Sequence, residues 1–144
     1  MKKILFLFML ALSIASCQGP TGPEGPQGYG TNWKVINLVA AASDWVAYTD
    51  DNGQNRYYSC HFSMPEITST VFNDGSVIGY YLTSSNSVQQ PLPFVLHIQN
   101  TDGSLWTRTI DFDYSVGGLN VYVTNSNFAN IFPGDMNFRV TLMW

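Results

Sequence analysis

The chain has 144 residues, of which 15% are aromatic and 11% charged, with a formal net charge of −4. That length suits one compact domain with a real core. An acidic chain without a basic stripe excludes nucleic-acid binding, where Lys and Arg supply most of the affinity, and two cysteines exclude a disulfide framework.

Lys2 and Lys3 form a short basic start, and Ile4 to Ala15 is an uncharged apolar run of 12 residues. It is too short for a bilayer of about 30 Å, which asks for about 20 apolar residues. The pattern is that of a secretory signal peptide. Small residues at Ala15 and Ser16 fit a narrow peptidase cleft, and Cys17 stands directly after them. Ile14, Ala15, Ser16 and Cys17, with Leu12 just upstream, resemble the lipobox of bacterial lipoproteins: an aliphatic residue, two small residues, then cysteine. The resemblance implies cleavage after residue 16, a thioether from the Cys17 sulfur to a diacylglyceryl group, and acylation of the new amino terminus by a chain such as palmitate. Two or more acyl chains, at about 0.8 kcal/mol per buried methylene, hold a protein stably on a membrane. Gln18 stands where lipoproteins retained in the inner membrane often carry Asp, so the resemblance favours the outer membrane, on its periplasmic or its surface side.

Removal of 16 residues leaves 128, and loss of Lys2 and Lys3 takes the basic residues from 6 to 4 against 10 acids, a net charge of −6. Such a body gains nothing electrostatically from anionic lipid. The expected membrane contact is therefore the acyl anchor alone. With Cys17 lipidated, Cys60 has no intramolecular partner, and Tyr58, Cys60 and Phe62 share the parity of a core face, so Cys60 is expected to be buried rather than reactive or metal-binding.

Glycine recurs at positions 19, 22, 25 and 28, followed by proline at the first three, which is a collagen-like repeat. Three triplets are too few to hold a triple helix, so the expected role is a tether, with assistance to trimerisation as the other possibility. The 15 residues from Gln18 to Asn32 reach about 45 Å at ~3.1 Å per residue. Leader, lipobox, Gly-Pro triplets and a small Trp- and Tyr-rich domain together resemble the short collagen-like envelope lipoproteins of the Bacteroidota. That likeness implies a location and no activity. The expected divisions are residues 1–16 as signal peptide, 17–32 as lipidated cysteine and tether, and 33–144 as the folded domain.

From residue 33 onward, short alternating or β-branched stretches are separated by turn dipeptides: Asn52-Gly53, Asp74-Gly75, Asp102-Gly103, Gly117-Gly118 and Pro133-Gly134. This spacing predicts an all-β fold, a two-sheet antiparallel β-sandwich of about 7–8 strands. The expected strands are 33–40, 44–50, 55–63, 76–83, 92–100, 104–113, 119–124 and 136–144. A two-residue type I′ turn at Asn52-Gly53 sets Ala47 opposite Tyr58 and Trp45 opposite Cys60. A three-residue loop Thr101-Asp102-Gly103, with Gly103 left-handed, sets Ile98 against Trp106, Phe94 against Ile110 and Leu92 against Phe112. It also sets Arg108 against Leu96, where the guanidinium must reach an edge or stack on an aromatic ring. Pro65 and Glu66 followed by Ile67 to Phe72 and Gly75 predict a turn or two of helix beginning at the proline.

No constellation spells out a reaction. His61 and His97 have outward parity, and a metal site would need them to converge with Asp111 or Asp113. Asp111 and Asp113 lack the second, distant carboxylate of a glycosidase. Asp50-Asp51-Asn52-Gly53 departs from the calcium-loop pattern at its first and last ligand positions, Tyr48 and Ser59. The domain is therefore expected to be non-catalytic, without metal or cofactor, and to serve a structural or protein-interaction role. Its aromatic load supports one alternative, carbohydrate binding through exposed Tyr and Trp. The candidate residues are Tyr57 and Tyr122, with outward parity, and the neighbours Tyr80 and Tyr81, of which at least one must point away from the core.

Overall fold

The computed structural model describes residues 30–83 and 88–144. The lipobox, Cys17 and the tether up to residue 29 lie outside the described residues. Among the described residues, nine strands form two antiparallel sheets. They are β1 (Trp33–Ala40), β2 (Val46–Tyr48), β3 (Tyr57–Met64), β4 (Ser76–Leu82), β5 (Gln89–Pro91), β6 (Phe94–Gln99), β7 (Leu105–Ser115), β8 (Gly117–Asn125) and β9 (Met136–Met143). One sheet has the order β1-β9-β4-β5, the other β2-β3-β8-β7-β6. This is the β-sandwich that the turn spacing predicts, with the three-residue β5 as an added strand.

Alternation places the core between the sheets. In β9, Met136, Phe138, Val140 and Leu142 are buried and their neighbours are half-buried. Facing them from β8 are Leu119, Val121 and Val123, and from β3 Tyr58, Cys60 and Met64. Buried aromatics keep their polar tips satisfied: Trp45 donates to the Gly134 carbonyl at 3.2 Å, Tyr58 to Asn130 at 3.0 Å and Trp106 to Asn100 at 3.0 Å. Arg108 also points inward. Its guanidinium lies 5.6 Å from the Trp106 ring centre, and its Nε donates to the buried Asn125 side chain at 3.0 Å. Burial lowers its pKa from the ordinary arginine value.

Both hairpin registers agree with expectation. Ala47 pairs with Tyr58, Ile98 with Trp106 and Phe94 with Ile110, while Gly103 has φ +87°. The differences are local and each has a cause. Strand 44–50 shrinks to Val46–Tyr48, because the Asp44 carboxylate accepts from the Ala41 N–H at 2.9 Å and bends 41–44 into a 3-10 turn. The first hairpin tip is not a type I′ turn: of Asn52 and Gly53 only Gly53 has positive φ, and the tip closes through Gly53 N–H to the Asp50 carbonyl at 2.8 Å. Leu92 does not pair with Phe112, because Leu92-Pro93, a cis peptide, carries the chain from β5 in one sheet to β6 in the other. The helix α1 spans Ser69–Asp74 and so starts four residues after Pro65, not at it, because Thr68 caps it, its hydroxyl accepting from the Val71 N–H at 3.3 Å.

Candidate binding face

The outer surface of the five-stranded sheet is assembled by register. On β3 the outward residues are Tyr57, Ser59 and His61, and on β8 their direct partners are Thr124, Tyr122 and Asn120. On β7, Asp111 lies opposite Tyr122 and Asp113 opposite Asn120. The first hairpin adds Tyr48, directly opposite Tyr57.

Three tyrosine rings therefore cross three strands. Tyr48 stacks on Tyr57 with centroids 5.5 Å apart, and Tyr57 meets Tyr122 edge-on at 6.0 Å. The row ends on a polar relay. Tyr122 donates to one Asp113 oxygen at 2.7 Å and Asn120 to the other at 2.8 Å, while Asn120 Oδ1 lies 2.9 Å from His61 Nδ1. These bonds fix the Tyr122 ring. Burial, the hydrogen bond to Asp113 and its negative charge push the Tyr122 hydroxyl up to about 12. Burial, and then the charge of Asp113, raises the Asp111 carboxyl above its ordinary value. The face thus joins ring surface, a fixed carboxylate and an amide, groups that contact a flat partner or a sugar ring.

The four candidate tyrosines separate. Tyr57 and Tyr122 meet on this face. Tyr80 points outward from the other sheet, and Tyr81 turns inward, where its ring lies 6.0 Å from both Phe94 and Phe138. Sequence reasoning passed over Tyr48 and Asn120. The hairpin register contained the first, since Ala47 opposite Tyr58 requires Tyr48 opposite Tyr57.

The other chemical candidates do not assemble. His61 on β3 and His97 on β6 are three strand spacings apart across the sheet, roughly 14 Å, and are offset by a further six residues, about 20 Å, along the strands. Among the described residues no group of three metal-ligating side chains converges. Cys60 is buried and free, and burial, with the nearby Asp44 charge, raises its thiol pKa. The Asp50 carboxylate is occupied as a loop cap, accepting from the Gln54 N–H at 2.8 Å and the Asn55 side chain at 2.6 Å. A groove of about 230 Å³ runs past Asn37, Val39, Leu82 and Arg139, and one of about 460 Å³ past His97, Leu105, Trp106 and Ser126.

No protein-family model, curated protein or solved structure matches the chain.

Proposed function

We propose that this is a lipid-anchored cell-envelope protein that presents a small, non-catalytic β-sandwich to a partner, with the outer face of the five-stranded sheet as the contact surface. The anchor is Cys17, within Ile14-Ala15-Ser16-Cys17, and the Gly-Pro stretch is its tether to the outer membrane. The contact surface rests on one observation: Tyr48, Tyr57 and Tyr122 form a continuous row whose last member is held by Asp113. A row fixed in advance loses little side-chain entropy on contact, which favours binding.

The same observation supports a second reading, carbohydrate binding, because Asp113 and Asn120 place hydrogen-bonding groups beside the rings. Electrophoresis through gels cast with a panel of polysaccharides separates the two. Retardation that disappears in Tyr57→Ala identifies a glycan ligand, whereas equal mobility in every gel removes the glycan reading. For the anchor, a palmitate analogue fed to cells is expected to label the chain and to be lost in Cys17→Ala. Persistent labelling of that variant overturns the lipobox assignment.

A further inference from the structure

Among the described residues the sandwich has four sheet edges, and three of them are blunted. β2 and β5 are three residues each, and β5 contains Pro91. β6 has six residues, enters directly from Pro93, and turns His97 and Gln99 outward. Short strands, proline and polar side chains are the devices by which sheets avoid pairing with another chain.

β1 is neither short nor interrupted by proline. It is eight residues long, and its outward row is Trp33, Val35, Asn37 and Val39, without a charge and with Asn37 as its single polar residue. Trp33 is 70%, Val35 43% and Val39 63% exposed. The direction of its free backbone groups follows from one pair beyond its start: Asn32 and Trp144 exchange both backbone hydrogen bonds, at 2.8 and 3.0 Å, in the same register as the β1–β9 ladder. In an antiparallel ladder such pairs alternate. The even residues of β1 therefore bond to β9, and Trp33, Val35, Asn37 and Val39 turn their N–H and C=O groups to the open edge.

We infer that β1 is a self-association edge that pairs antiparallel with β1 of a second copy about a two-fold axis at Asn37, joining two four-stranded sheets into one of eight. The register is determined by three conditions. Directly opposite residues must lie on the same face, so odd must meet odd. The edge-facing groups belong to odd residues, so a pair of odd residues must exchange the bonds. Side chains must also match across the seam. Placing Asn37 opposite Asn37 of the second copy satisfies all three: Val35 meets Val39 on the outer face and Ile36 meets Leu38 on the inner one. Moving the axis to Ile36 would set Val35 against Asn37 and Lys34 against Leu38.

Charge and reach also suit a second copy of this chain. Lys34 is neutralised by Glu66 at 3.0 Å and stands opposite Ala40, so no like charges meet across the seam. The two Trp33 residues lie eight positions apart along the seam, ~27 Å. The pairing itself does not depend on the lipid assignment. A seam of one strand against one strand is at the low end of specific interfaces, so the dimer is expected to dissociate on dilution.

The test uses the full chain in expressing cells. Asn37→Cys places two thiols across the axis at a Cα separation of about 5.5 Å, within the range a disulfide spans. Mild oxidation is expected to yield a disulfide dimer that the unsubstituted chain does not form. Adding Val39→Lys is expected to reduce that product at least tenfold, while Leu105→Lys on the other sheet leaves it unchanged. Val35→Pro provides a variant that spares the fold, because it removes an N–H turned to the open edge and no β1–β9 bond; it is expected to lower the yield as much as Val39→Lys. Absence of the Asn37→Cys dimer, or a yield untouched by Val39→Lys and Val35→Pro, overturns the proposal. Stronger crosslinking from Ile36→Cys than from Asn37→Cys overturns the register.

Discussion

On the outside of the five-stranded sheet, the rings of Tyr48, Tyr57 and Tyr122 touch in sequence and end on a carboxylate that also holds Asn120. On the outside of the four-stranded sheet, Trp33, Val35, Val39 and Ile78 stand largely apart and exposed, and Arg139 is tied to Asn37 at 2.9 Å. Both faces arise from the same two-residue alternation over one shared core. The difference lies in what occupies the outward positions. Polar groups in adjacent rows bond to one another and fix a surface before any partner arrives. Apolar residues in adjacent rows remain exposed to water and gain only when another surface covers them. The first arrangement suits recognition by preformed geometry, the second association by burial.

The comparison requires both faces to be outside and their common layer to be inside. Leu142→Ala, at a fully buried position of β9, is expected to cost about 2–5 kcal/mol in denaturant unfolding. Thr141→Ala, its outward neighbour, should fall within about 0.5 kcal/mol. Equal costs would break the inside–outside distinction.

Between these lies Gly79→Ala. A Cβ at this inward position of β4 would meet the Phe112 ring at 2.9 Å and Leu92 Cδ1 at 3.1 Å. The overpacking is expected to cost about 1–3 kcal/mol.

The polar face can be sharpened by titration. Its hydroxyl raised to about 12, Tyr122 should titrate above the ordinary tyrosine value of 10 when its tyrosinate signal is followed with pH, and Asp113→Asn should lower it. The sign follows from linkage. A tyrosine whose folded pKa lies above its unfolded value stabilises the fold fully below pH 10, and that contribution is lost as pH rises through about 12.

Asp111 behaves in the same sense at acid pH. Its raised pKa means that ionisation opposes folding, so its contribution is favourable below the unfolded carboxylate pKa and is lost as pH rises through the folded one. Asp111→Asn is therefore expected to stabilise the chain at neutral pH by less than about 1 kcal/mol, given its partial exposure, and to have no effect at low pH. The smallest effect belongs to the apolar face: Val39→Lys should change unfolding free energy by less than about 0.5 kcal/mol at a dilution where the chain is monomeric.

Much of the fold was legible because turns and alternation constrain one another. In β6 and β7 the Asp102-Gly103 loop was readable to the residue, since any slip would have turned Ile98, Trp106 and Ile110 to water. β5 was not legible: Gln89-Gln90-Pro91 has no apolar alternation and is a strand only because Tyr80, Tyr81 and Leu82 offer it an edge. The early end of the second expected strand had a similar cause, a side-chain cap from Asp44 competing with the ladder. At the candidate site, parity alone placed Tyr57 and Tyr122 outward. The Tyr122–Asp113–Asn120 contacts depend on how β7 and β8 pair, a register set by an abrupt turn at Val116-Gly117, where Gly117 has φ +85°. Nothing in Tyr80-Tyr81 shows which ring faces the core until β4 is paired with β9.

The claim that the tyrosine row is the contact surface is tested most directly by placing a photoreactive phenylalanine analogue at position 48 or at position 78 of the full chain and irradiating intact cells. An adduct with a molecule other than this chain is expected from position 48 and none from position 78. No adduct at 48, or one at least as strong at 78, would contradict the claim.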